Sequence, residues 1–122
     1  MQYLLLIYDD ERVWGDISEE DRNKLYEAYG VFTNELREAG ALVTADQLQP
    51  STTATSVRVR NDETLTTDGP FAETKEQLGG YYLIEVDSLD EALEWAAKIP
   101  SARSGTIEVR PVVQTRAEAG AR

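Results

Sequence analysis

The sequence of 122 residues predicts an α+β domain with an antiparallel sheet, and three observations lead to this prediction. Short apolar runs of strand length recur along the chain. Two longer segments carry apolar residues at helical spacing, and each is opened by a serine that can cap a helix. Turn-forming residues separate these segments. Because 41% of the residues are hydrophobic, one core can form. We expect a single domain over residues 1–113 and a C-terminal tail over 114–122.

The first half of the chain begins with a strand-like run from Gln2 to Tyr8. The acidic run Asp9 to Glu11 ends this strand, and we interpret it as a solvated charge run rather than a metal site. Gly15-Asp16 predicts a turn, after which Ser18 opens a helix that ends at Gly40. The apolar stripe of this helix consists of Leu25, Tyr29, Phe32, Leu36 and Ala39.

The rest of the chain contains five further strand-like runs and one helix. The predicted strands are Ala41–Leu48, Thr55–Arg60, Glu63–Thr67, Tyr81–Val86 and, at the end, Thr106–Val113. Asn61-Asp62 predicts a hairpin turn, and a loop is expected from Asp68 to Gly80. Ser88 opens the second helix, whose predicted stripe consists of Leu89, Ala92, Leu93, Ala96 and Ile99.

The order of these elements predicts a ferredoxin-like split βαβ fold with an inserted β-hairpin. Both helices should cover one sheet face, which leaves the other face open to water. That open face is too apolar for water, because Leu4, Leu6 and Leu83 belong to it. We therefore expect a homodimer in which a second copy covers this face. Thr106, Glu108 and Arg110 would give the enclosed cleft its polar groups.

The composition excludes several functions. The chain contains no cysteine and no histidine, which removes disulfides, thiolate chemistry and imidazole catalysis. The formal charge of −11 opposes nucleic-acid binding. No run has the length of a membrane span, and the N-terminal segment lacks the basic flank of a signal peptide, so we expect a cytoplasmic protein. We expect no cofactor and no metal.

The segment from Asp68-Gly69-Pro70-Phe71 through Gly79-Gly80-Tyr81-Tyr82 to Glu85 resembles the signature of the DGPF proteins, a branch of the YCII-related family. The resemblance extends from Met1 to Val112. It implies a dimeric α/β barrel made of ferredoxin-like halves. Relatives in the family are similar to enzymes with a His/Asp pair, which this chain lacks, and the resemblance implies that Tyr29 lies near the position of the missing imidazole.

Four charged residues of the predicted loop are candidate catalytic groups, namely Asp68, Glu73, Lys75 and Glu76. Carboxylates around one ammonium group can tune acid–base chemistry without histidine. Alternatively, Asp68 forms an Asx turn and the glutamates are solvated.

Four further residues are candidate ligand contacts, namely Tyr8, Tyr29, Phe71 and Arg110. Phe71 either stacks on a ligand or, as we favour, plugs the edge of the core. Arg110 either binds an anion or pairs with Glu85 or Glu108, and the ion pair is the simpler interpretation. The six tyrosines of the chain have two interpretations: they line a cavity, or they pack within the sheet and at the interface between two copies.

Two functions are consistent with the sequence. The first is a cofactor-independent small-molecule enzyme or ligand binder that uses the cleft at the dimer's sheet face. The second is a regulatory or protein-interaction module, because the resemblance implies an association with extracytoplasmic-function sigma factors.

Overall fold

The computed structural model describes residues 1–114, so most of the predicted tail, residues 115–122, lies outside the described part. Within it the strands are β1 Gln2–Asp9, β2 Leu42–Gln47, β3 Thr55–Arg60, β4 Glu63–Asp68, β5 Gln77–Glu85 and β6 Thr106–Pro111. The helices are α1 Glu11–Asp16, α2 Glu19–Glu38 and α3 Leu89–Lys98. None of these helices combines the length and apolar character needed to cross a bilayer.

The main sheet has the strand order β2-β5-β1-β6, and every neighbouring pair is antiparallel. β3 and β4 form a separate two-stranded ribbon between β2 and β5 in sequence. This is the predicted ferredoxin-like α+β arrangement with an inserted hairpin, and the prediction is confirmed. The dimeric barrel requires a second copy and stays a prediction.

The core lies between α2, α3 and one face of the main sheet. Alternation in β1 buries Tyr3, Leu5 and Ile7, while the residues between them are only half-buried. From α2, Phe32 and Leu36 reach this layer, as the predicted stripe requires. The ring of Phe32 meets the ring of Tyr82 edge-on at 5.1 Å between centroids.

The buried side of α3 differs from the predicted stripe. Ala92, Ala96 and Ile99 are buried, but Leu89 and Leu93 are nearly half exposed. Trp95 packs against the core instead, with its ring 6.1 Å from the ring of Phe32. The contact side therefore follows positions 92, 95, 96 and 99, because small alanines let the helix approach the sheet and the large indole fills the remaining space.

The helix ends and the hairpin turn agree with the sequence. The Ser18 and Ser88 hydroxyls accept hydrogen bonds from backbone amides three residues later, at 3.1 and 3.2 Å. Gly40 follows α2 with a φ of +73°, which a glycine adopts without strain. Asn61 and Asp62 both have positive φ, as a tight two-residue hairpin turn demands.

Two predicted loops contain regular structure. Gly15-Asp16 is not a turn, since both residues belong to α1, which Asp10 caps through its side chain. β5 begins at Gln77 rather than Tyr81, so Gly79 and Gly80 lie inside the strand. The neighbouring strand explains the second glycine, because a Cβ on Gly80 would lie 2.9 Å from the carbonyl oxygen of Asp46.

Candidate functional site

A cavity of about 600 Å³ lies between α1, α2 and the helix-covered side of the sheet. Its walls include Ile7 of β1, Tyr29 of α2, Ala45 of β2, Tyr82 of β5 and Ser101, which follows α3. The volume is within the range of small-molecule sites. This cavity lies on the opposite side of the sheet from the cleft that the sequence predicts between two copies. That cleft requires a second copy and stays a prediction.

Asp9 places a carboxylate in this cavity at the end of β1. The strand's alternation directs position 9 toward the same side as Leu5 and Ile7, and only 9% of Asp9 is exposed. Its Oδ2 accepts hydrogen bonds from Trp14 Nε1 at 3.3 Å and from Ser104 Oγ at 2.8 Å. Its Oδ1 accepts a third from the Asp10 amide at 2.9 Å. A buried carboxylate satisfied in this way is held in one orientation.

The prediction that the carboxylates from Asp9 to Glu11 form a solvated charge run is wrong, because each of them accepts hydrogen bonds from the protein. Asp10 accepts hydrogen bonds from the backbone and side chain of Arg12 and caps α1, and the side-chain bond is the main cause of its lowered pKa. Glu11 accepts hydrogen bonds from the amide and the hydroxyl of Ser51, at 2.7 and 2.6 Å. All three carboxylates therefore organise the structure around the cavity.

Two of the tyrosines that line the cavity, Tyr29 and Tyr82, have phenols that are hydrogen-bonded to neighbouring hydroxyl groups. Tyr29 Oη lies 2.5 Å from Ser101 Oγ, and Tyr82 Oη lies 2.6 Å from Thr33 Oγ1. Burial raises the pKa of both phenols above the ordinary value. Both are therefore protonated at neutral pH. Tyr29, a ligand contact predicted from the sequence, lies in the cavity wall.

Trp14, Arg22 and Tyr26 also line the cavity. The rings of Trp14 and Tyr26 meet edge-on at 6.1 Å. Arg22 is half-buried, and its Nη2 donates a hydrogen bond to the Trp14 carbonyl at 3.0 Å. Tyr26 belongs to the tyrosines for which the sequence left a cavity lining open, whereas Trp14 and Arg22 were not among the residues predicted from the sequence. The available signal was a second stripe on α2, beside the apolar one, formed by Arg22, Tyr26, Tyr29 and Thr33 at steps of four, three and four.

Tyr8 and Arg110 lie on the open face of the sheet, away from the cavity lining. Tyr8 is half-buried and pairs with Thr106 across the β1–β6 ladder. Arg110 is exposed and forms an ion pair with Glu108. This is the ion-pair interpretation that we favoured from the sequence. Their roles as ligand contacts stay predictions.

The candidate catalytic residues of the loop do not form an ion-pair cluster within residues 1–114. Asp68 ends β4, and it is exposed like Glu73 and Lys75, while Glu76 is half-buried. None of the ion pairs in this part of the chain joins Lys75 to a carboxylate. These four residues lie outside the cavity lining. A catalytic role for them stays a prediction.

Phe71 does not plug the core of the chain. Its side chain is 77% exposed, and the Arg58 guanidinium lies 5.1 Å from the ring centroid. The prediction failed because the loop carries the ring toward the β3–β4 ribbon rather than the main sheet.

Comparison with known proteins gives two matches. A family model described as the YCII-related domain matches residues 1–116. An uncharacterised protein of Rhizobium meliloti (strain 1021) is 42% identical over 114 residues, which cover 92% of this chain and 92% of the relative. Both matches span nearly the whole chain, so the elements that surround the cavity fall within them.

Proposed function

The chain belongs to the YCII-related family, and we propose that it binds a small organic molecule in the cavity between α2 and the sheet. The observation that carries the proposal is the lining of this cavity, where apolar and aromatic walls surround a few converging polar groups. Hydrogen bonds to Asp9, Tyr29 and Tyr82 hold these groups in place. A preorganised site loses little conformational entropy when a ligand enters.

We propose cofactor-independent acid–base chemistry as a second candidate function, and the specific observation that favours it is the Tyr29–Ser101 pair. A protonated phenol in a partly dehydrated cavity can stabilise negative charge that develops on a bound oxygen. Ser101 is 1% exposed and holds the Tyr29 oxygen in place. The Asp9 carboxylate already accepts three hydrogen bonds from donors of the protein itself.

The two tryptophans allow a direct test of the binding site. Trp14 lines the cavity, whereas Trp95 packs against Phe32 on α3's side of the core. We expect compounds from a metabolite library to raise the melting temperature and to change the fluorescence of a Trp95→Phe variant, in which Trp14 is the reporter. A compound at 100 times its Kd adds about 2.7 kcal/mol to the free energy of unfolding.

The Trp14→Phe variant reports from Trp95 alone and should show no fluorescence change with the same compounds. Val13→Ala provides a neighbouring control, because Val13 is exposed and does not line the cavity. A library without hits would contradict the proposal. So would hits that perturb only Trp95.

We also propose that the open sheet face pairs with the same face of a second copy. Leu4, Leu6 and Leu83 lie on this face without helices above them. Light scattering on wild-type protein is expected to give twice the mass of one chain. Leu6→Glu should give the mass of one chain, because a charge would be buried at the interface. Val31→Glu on the exposed side of α2 should stay dimeric. A monomeric wild type would overturn this proposal.

The DGPF-like segment from Asp68 to Glu85 supports placing the chain in the DGPF branch of the family. The association with an extracytoplasmic-function sigma factor, and with it the regulatory function, stays a prediction of that resemblance.

A further inference from the structure

The charged residues that line the cavity differ in how fully the protein itself satisfies them. Asp9 accepts hydrogen bonds from Trp14 and Ser104, and Glu11 accepts two from Ser51. Asp46 accepts one from Tyr81 Oη at 2.8 Å. Each carboxylate of the lining is thus engaged by donors of the protein itself. Arg22 is the cationic member of the same lining.

Arg22 has no counter-ion within residues 1–114. Its guanidinium makes one hydrogen bond, from Nη2 to the Trp14 carbonyl, and the ion pairs of the described chain do not include it. The residue is nevertheless half-buried at the cavity wall. A guanidinium presents five N–H donors in a planar fork that matches a carboxylate. Its remaining donors are therefore available to an anionic group of a ligand.

The walls beside this guanidinium are aromatic. Trp14 packs edge-on against Tyr26, and Tyr29 lies one helical turn farther along α2. Rings of this kind favour flat, unsaturated ligands over flexible aliphatic ones. We infer that the cavity takes a planar aromatic carboxylate, whose carboxylate group pairs with Arg22 and whose ring lies among the aromatic side chains. This inference rests on the proposed small-molecule function and specifies its ligand class.

Titration calorimetry with three probes of similar size tests the inference. Cinnamate is planar and anionic, cinnamamide is planar and neutral, and 3-cyclohexylpropanoate is anionic without an aromatic ring. We expect cinnamate to bind at least about tenfold more tightly than either of the others. Cinnamamide cannot form the charge-assisted bidentate pair with Arg22, and 3-cyclohexylpropanoate offers no flat ring to the aromatic walls.

Variants of Arg22 assign the effect to the guanidinium. Arg22→Gln should reduce the affinity for cinnamate to that for cinnamamide and leave the affinity for cinnamamide unchanged. Arg22→Lys should retain part of the preference, because the charge persists without the fork. Arg37→Gln, at an exposed position of the same helix, should behave like wild type. Equal melting temperatures of the unliganded variants establish that folding is intact.

The outcomes separate this inference from the proposed function. Equal binding of cinnamate and cinnamamide, with a fluorescence change at Trp14, would overturn the anionic ligand class and leave the small-molecule site in place. An Arg22→Gln variant that weakens both probes equally would also overturn it. Binding of none of the three probes would overturn the ligand class, while the library screen would decide the proposed function independently.

Discussion

Gly105→Ala is expected to destabilise the protein by about 3 kcal/mol, a large effect for the addition of one methyl group. A Cβ at position 105 would lie 2.1 Å from the Tyr8 carbonyl oxygen and 3.0 Å from Cγ of Asp9. The first contact is with backbone, so no side chain can rotate away. The start of β6 would have to move off β1, where Thr106 pairs with Tyr8. Urea unfolding followed by circular dichroism measures the loss.

Gly30→Ala provides the matched control. Gly30 lies on the exposed side of α2, and a Cβ there would meet no atom within 4 Å. Alanine is a better helix former than glycine, so this variant should gain about 0.5–1 kcal/mol. The same substitution is therefore expected to change stability in opposite directions at the two positions. Unfolding of Gly105→Ala at the wild-type urea concentration would disprove the close approach of β6 to Asp9.

Leu36→Ala is the second large effect, with an expected loss of about 2–5 kcal/mol. Leu36 is completely buried between α2 and the sheet, so truncation leaves a cavity as well as removing apolar contacts. Leu93→Ala is the control, since Leu93 is 46% exposed on α3. It should lose less than about 1 kcal/mol.

The comparison of these two leucines also tests the position of α3. Both leucines belong to apolar stripes predicted from the sequence, but only Leu36 is buried in the structure. Thermal unfolding monitored by calorimetry gives both values under the same conditions. Losses of equal size would mean that Leu93 packs in the core, as its sequence pattern predicts.

The helix α2 has two roles on two stripes of its surface. One stripe, with Phe32 and Leu36, contributes to the core. A second stripe, with Arg22, Tyr26, Tyr29 and Thr33, lines the cavity. The cavity thus lies beside the core, along the more polar of the two stripes. A ligand that fills it would complete the layer that the core forms elsewhere.

The local elements of this protein follow from its sequence alone. The β3 bounds, the two serine caps and the Asn61-Asp62 turn agree with the structure, because each depends on residues within a few positions of one another. The order of strands and helices then permits few topologies, so the ferredoxin-like arrangement was predictable as well.

The site depended on the tertiary structure. Asp9 and Ser104 are 95 positions apart, Tyr29 and Ser101 are 72 apart, and Glu11 and Ser51 are 40 apart. No local pattern relates such residues. The sequence therefore determined the strands, the helices and the absence of imidazole and thiol groups, while the packing of α1 and α2 over the sheet decided that Asp9 is buried and that Arg22 faces a cavity. The physical reason is that periodicity reports which side of an element is apolar, whereas a cavity arises where distant elements fail to fill the space between them.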